Sequence, residues 1–267
     1  MSKFTQTQKE FIRQTLNTPN LFDFDLKTYV KAQVFLGFFY HNWFKVNFIN
    51  LDHLPPNKPC LIVGNTSSII PWPALMFSYA AMNQLGRRVN IAYDLDSFED
   101  ERICTFAREI GFVPFSNENL KKLFSQNEIV VVFPEAKQSI NKPMSMTNRL
   151  YTFDWTLTLP AIEQGVNIYP LTSVGCDESS PTFYNAKALA EYLDLPSFPI
   201  TPFFPWLPFP FNFLALPKKC QMKIGRNIDY SDKPTNDKNT IQETAKWVSF
   251  MLEGDIQAEI NRILRMR

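Results

Sequence analysis

Hydroxyl, carboxylate and ammonium groups gather in two short stretches: Asn65-Thr66-Ser67-Ser68, directly after one apolar run, and Phe133-Pro134-Glu135-Ala136-Lys137-Gln138-Ser139, directly after another. A serine hydroxyl becomes a nucleophile only beside a base. Glu135 would be such a base if desolvation raised its carboxyl pKa. The plainer role of Ser67 and Ser68 is to cap the helix predicted from about Trp72, because a serine oxygen satisfies free N–H groups of a first turn. Histidine, the usual proton carrier near neutral pH, occurs only as His41 and His53, both upstream of these stretches. No G-x-G-x-x-G, G-x-x-x-x-G-K-[ST], H-E-x-x-H or G-x-S-x-G is present, so nucleotide, zinc-protease and α/β-hydrolase readings have no motif to rest on. Cys60, Cys104, Cys176 and Cys220 form no C-x-x-C pair. That spacing argues against a zinc site or a disulfide framework and for a reducing compartment.

The elements that must position these groups follow from apolar runs and their punctuation. Cys60-Leu61-Ile62-Val63-Gly64, bounded by Pro and Gly, reads as a buried strand. Further strands are predicted at 89–93, 112–115, 129–133, 166–171 and 221–225, and helices at 72–85, 99–110, 117–125 and 155–164. Strands alternating with helices imply an α/β fold, a mostly parallel central sheet with helices on both faces. In such a sheet the site lies at the carboxyl ends of the strands, where the loops at 64–71, 133–139 and Tyr169-Pro170-Leu171 would converge. Ile241, Ala245, Val248, Leu252, Ile256, Ile260 and Ile263 repeat near 3.6 residues and predict a C-terminal amphipathic helix packed on the domain.

Two aromatic segments carry alternatives. Residues 30–51 suit an N-terminal helix lying at a membrane interface, with Tyr40 and Trp43 at headgroup depth and Lys31 and Lys45 snorkelling. They suit equally a buried helix followed by an edge strand. Residues 196–217, rich in Pro and Phe, cannot sustain a helix or a central strand. That segment is an apolar patch for lipid or a partner, the wall of an acyl-chain pocket, or a proline-rich loop across the core. The boundaries expected are 1–50 for an N-terminal arm and helix, 51–235 for the α/β domain, and 236–267 for the C-terminal helix of the same unit.

Composition narrows the function classes. The 267 residues are 45% hydrophobic and 20% charged, enough apolar surface to exclude a disordered chain. A net charge of +1 gives no field that would favour nucleic acid. The N-terminal MSKFTQTQKEF lacks the apolar core of a signal peptide, so the expected location is cytoplasmic, with peripheral contact to the cytoplasmic membrane face as an extension of that reading.

From about residue 48 to 230 the order and spacing of these blocks resemble the glycerolipid acyltransferase superfamily, the group containing lysophosphatidic acid acyltransferases, and most of all its monoacylglycerol- and diacylglycerol-type branch. The family pattern is a strand leading into N-H-x-S-x-x-D, a Gly-led hydrophobic strand, F-P-E-G-x-R, and a V-P-V-like strand. Its counterparts are Leu61 to Pro71, Arg108 to Phe115, Val131 to Ser139 and Gly165 to Leu171, with Leu216 to Ile228 similar to the family's final strand. The resemblance implies an acyl chain or lipid as partner, acyl-CoA as a substrate, and neither a bound cofactor nor a metal.

The departures fall on the chemistry. In the family the His deprotonates the acceptor hydroxyl and the Asp orients the imidazole. Thr66 stands at the His position and Pro71 at the Asp position, and neither can do that work. Ala136 replaces the family Gly and Gln138 the Arg, while Lys137, one residue earlier, offers a point charge without the guanidinium fork. The expected catalytic positions are therefore the degenerate set Thr66, Ser68 and Glu135. Asn65, Ser67, Phe133, Pro134, Lys137, Gln138 and Pro170 are the expected substrate-binding set. His53 lies toward the opposite end of the sheet, and His41 would reach the site only if its helix folds over it. The expectation is an acyltransferase-fold protein without standard acyl transfer that retains lipid, acyl-chain or partner binding; the alternative is an active O-acyltransferase with a non-standard base.

Overall fold

Apolar runs bounded by Pro and Gly become one central sheet in the computed structural model, which describes residues 5–16, 21–66, 70–94, 101–135, 142, 146, 148–179, 184–185, 199–200, 216–235 and 237–267. The strands are β1 (Asn47–Ile49), β2 (Cys60–Gly64), β3 (Val89–Tyr93), β4 (Phe112–Pro114), β5 (Ile129–Val132), β6 (Asn167–Val174), β7 (Tyr184–Asn185), β8 (Pro199–Ile200) and β9 (Gln221–Ile224). The helices are α1 (Gln6–Leu16), α2 (Leu26–Phe38), α3 (Trp72–Gln84), α4 (Glu101–Glu109), α5 (Asn117–Ser125), α6 (Leu159–Glu163) and α7 (Lys238–Arg265). Seven strands pair in the order β1-β9-β6-β2-β5-β3-β4, and β7 pairs with β8 alone. From β6 to β4 every pairing is parallel; β9 runs antiparallel to β6, and β1 lies parallel to β9 at the edge. The mostly parallel α/β architecture is thus the one its alternating pattern implies.

The central strands are buried on both faces, and alternate side chains feed two different cores. Cys60, Ile62, Ile129 and Val131 join Phe77 of α3 and Ala107 of α4 on one side. Leu61, Val63, Val130 and Val132 join Leu120 and Leu123 of α5, Ile162 of α6, and Val248, Leu252 and Ile256 of α7 on the other. The helix starts are chemically marked. Asp25 accepts the Thr28 N–H at α2, Ser116 accepts the Asn119 N–H at α5, and Asp237 with Thr240 forms a capping box at α7.

The segment 30–51 turns out to be a helix followed by an edge strand. α2 continues through a π-turn (Phe39–Trp43) into β1. Tyr29, Gln33 and Leu36 of α2 are buried, whereas Val34, Phe35 and Phe38 are exposed. Among the described residues no helix is long and apolar enough to cross a membrane. Most of 196–217 lies outside the described residues, apart from β8 and Leu216 and Pro217.

Two expectations are corrected at β6. The strand runs past Pro170 to Val174, paired with β2 as far as Leu171 and with β9 from there on, so Pro170 sits inside a strand, level with Val63, and not in an end loop. Its carbonyl accepts the Gly225 N–H at 2.9 Å. Proline interrupts only one ladder donor, and the neighbouring strands bridge it. The second correction concerns the cysteines: Cys176, just after β6, and Cys220, just before β9, form a disulfide across a separation of 44 residues, with Cα atoms 5.4 Å apart. The antiparallel β6–β9 pairing, invisible in the Cys spacing, brings them together. Gly175 makes the turn beside them at φ +106°, where a Cβ would stand 2.2 Å from the Lys219 carbonyl oxygen. Denatured, unreduced protein is expected to titrate two thiols, Cys60 and Cys104, and reduced protein four. Cys176→Ser is expected to cost about 2–4 kcal/mol in urea unfolding.

Candidate functional site

β2 and β5 are neighbours in register, Val63 opposite Val132. Thr66 and Glu135 each lie three residues beyond that pair, so the two strands deliver them to the same end of the sheet. Gly64 allows this close approach, since a Cβ there would meet the Phe133 ring at 3.0 Å. Phe133 is buried in the core on the α3 side, and the Pro134 carbonyl accepts the Asp154 N–H at 3.0 Å.

Asn65 is a splint between strands. Its amide donates to the Ser173 carbonyl at 2.9 Å and accepts the Ser173 N–H at 2.8 Å, which extends the β2–β6 pairing beyond the ladder. Those two bonds hold the segment that carries Thr66 against β6. Thr66 is 3% exposed, and its buried Oγ1 has no hydrogen-bond partner among the described residues. Pro71 is the N-cap residue of α3, and its carbonyl accepts N–H groups from Ala74 and Leu75. Trp72, the first residue of α3, stacks on Phe39 at 4.9 Å.

Glu135 is 2% exposed, and its two oxygens differ. Oε2 accepts from Lys142 Nζ and from the Tyr151 backbone N–H, the latter at 3.0 Å. Oε1 is buried without a partner among the described residues. Burial pushes the carboxyl pKa above its ordinary 4.5, Lys142 and the Tyr151 N–H oppose that, and Glu253 adds to it. Because the native state then holds its proton to higher pH than the unfolded chain, Glu135 contributes stability at low pH that is lost as pH rises from 4.5 through the native value. Urea midpoints across that range should fall more steeply with pH for the wild type than for Glu135→Gln.

Each histidine has a hydrogen-bond partner of its own. His41 Nε2 shares a hydrogen bond with the Tyr79 hydroxyl at 3.0 Å, and His53 Nδ1 one with the Gly225 carbonyl at 3.3 Å. Ser67, Ser68, Lys137 and Gln138, all expected at the site, lie outside the described residues. Lys142 was not anticipated: a lysine in a polar loop seven residues past Glu135 reads as solvated, and nothing in its neighbours signals burial.

Residues 45–174, from just before β1 to the end of β6, match the Acyltransferase family model. Over that stretch the chain is similar to the acyltransferase family. The matched stretch contains Thr66, Pro71, Glu135 and Lys142. The chain is 28% identical over 233 residues to an uncharacterized protein of Mycobacterium tuberculosis (strain H37Rv), covering 86% of this chain and 63% of that one. With an uncharacterized protein of Mycobacterium leprae it shares 27% over 233 residues, 86% of this chain and 62% of the other. It thus spans a little over six-tenths of the length of these relatives. Among solved structures it is similar to the 1-acyl-sn-glycerophosphate (LPA) acyltransferase PlsC of Thermotoga maritima, at 12% identity and a TM-score of 0.49, over 94% of this chain and 88% of that one.

Proposed function

We propose that the acyltransferase domain binds a glycerolipid or its acyl chain at the carboxyl ends of β2 and β5 and does not carry out standard acyl-CoA:glycerolipid transfer. The observation that carries this reading is Thr66 Oγ1, buried and without a hydrogen-bond partner among the described residues, at the position that the sequence resemblance aligns with the family's base. A threonine hydroxyl has no basicity at neutral pH, and the proline ring at position 71 cannot orient a neighbour. Acyl transfer needs a group that removes the proton of the attacking hydroxyl, and both histidines are hydrogen-bonded elsewhere. Val34, Phe35 and Phe38, exposed on α2 beside exposed Lys31, support peripheral contact with a lipid surface.

One observation favours a second reading. Glu135 combines a free oxygen with a carboxyl pushed upward by burial, the combination a general base requires. Native mass spectrometry of the purified chain, offered mono- and diacylglycerols and lysophospholipids, separates binding from its absence. A 1:1 lipid adduct is expected; a folded chain that retains none of them rejects the reading.

A further inference from the structure

The buried Glu135–Lys142 pair is lopsided. Among the described residues both donors that reach the carboxylate, Lys142 Nζ and the Tyr151 N–H, fall on Oε2, and Lys142 Nζ is held in place a second time, 5.0 Å above the centre of the Tyr151 ring. α7 fixes the segment that presents Tyr151. Gln257 accepts the Leu150 N–H at 2.9 Å and donates to the Asn148 carbonyl at 3.0 Å, and Glu253 accepts the Phe153 N–H at 3.2 Å. An ion pair serving packing alone would gain by satisfying both oxygens, yet Oε1 is left bare in the interior. The neighbouring strand ends in a second bare oxygen, Thr66 Oγ1.

A buried acceptor without a donor is a place for a ligand donor. The charges facing it select the kind. Lys142 is already matched by Glu135, and Glu253 on α7 adds negative charge beside the carboxyl. A phosphate or carboxylate brought to Oε1 would meet like charge, whereas a hydroxyl donates to it without a charge penalty.

We infer that Lys142 is the positioning residue of this site: by pinning Oε2 with the help of Tyr151 and α7, it leaves Glu135 Oε1 to accept a hydrogen bond from an uncharged hydroxyl of the bound lipid. This rests on the lipid-binding reading above and adds to it a headgroup class and a residue.

The test uses the full chain and two probes, tritiated 1-monooleoylglycerol and 1-oleoyl lysophosphatidate, with Kd measured across pH for wild type, Lys142→Arg and Lys142→Met. The Glu135 carboxyl is titrated in parallel by carbon-13 NMR, assigned with Glu135→Gln. Wild type should bind monooleoylglycerol at least about 10-fold more tightly than lysophosphatidate, a comparison that needs no variant to fold. Lys142→Met should weaken monooleoylglycerol by about 10- to 100-fold at neutral pH, the range for a charge-assisted hydrogen bond. It should also move both the binding midpoint and the Glu135 titration to higher pH, because the cation that opposes protonation is gone. Lys142→Arg should restore both to within a few-fold. A packing role alone would lower affinity equally at every pH and leave the midpoint in place, and that result overturns the assignment. Equal or tighter binding of lysophosphatidate overturns the uncharged hydroxyl. A wild type that binds neither probe while its Glu135 titration shifts as described in Lys142→Met rejects lipid binding and, with it, the ligand role of Oε1.

Discussion

Lys142→Met is expected to destabilise the fold by about 3–5 kcal/mol at neutral pH, and Glu135→Leu by a similar amount, while the double variant regains most of that loss. Both side chains are almost wholly removed from solvent, so removing either leaves a charge where water cannot reach. The two singles differ in their escape. Glu135 stranded without Lys142 neutralises by taking a proton, so the Lys142→Met penalty should shrink as the solution is acidified. Lys142 stranded without Glu135 has no such relief at acid pH. The double variant exchanges the pair for apolar volume in a buried site, a substitution that buried ion pairs tolerate well. Urea unfolding of the four proteins closes the cycle, and a coupling energy near zero would show that the two groups do not depend on each other.

The second large effect is catalytic. On the proposed reading, acyl transfer from acyl-CoA by this chain should fall short of that by an acyltransferase with a His-Asp pair by at least about 10²–10⁴ under the same conditions, because a positioned general base contributes that factor and more when base and orienter act as a unit. Thr66→Ala should not lower the rate further, since the hydroxyl takes no proton away. Side-by-side initial rates with labelled acyl-CoA read both points. A rate within a few-fold of the intact enzyme, or one abolished by Thr66→Ala, would mean that the threonine has acquired a catalytic part.

Residue pattern carried most of the scaffold. The runs at 60–64, 89–93 and 129–132 are short, apolar and bounded by turn residues, and each is a buried parallel strand; the heptad-like spacing from Ile241 to Ile263 marks the buried face of α7. The site divides differently. Thr66 and Glu135 were legible because both follow a strand directly, and strand ends in a parallel sheet are brought to one edge by topology. Lys142 and Tyr151 were not, because their approach to Glu135 depends on α7, more than 100 residues away along the chain, clamping the 148–153 segment. Asn65 was legible in position but not in role: its amide looks available until β6 is seen to run four residues beyond Pro170, bringing the Ser173 backbone beside it. The disulfide was hidden for a related reason, since only the antiparallel β6–β9 pairing brings Cys176 and Cys220 together.

Binding without turnover is the central claim, and one incubation reads both halves. The chain is loaded with monooleoylglycerol, separated from free lipid, mixed with radiolabelled oleoyl-CoA, and the lipids are extracted and resolved. The expected result is monooleoylglycerol recovered intact from the protein and label recovered as oleoyl-CoA. Labelled dioleoylglycerol that forms with wild type and disappears with Glu135→Ala would contradict it and make Glu135 the base of a working enzyme.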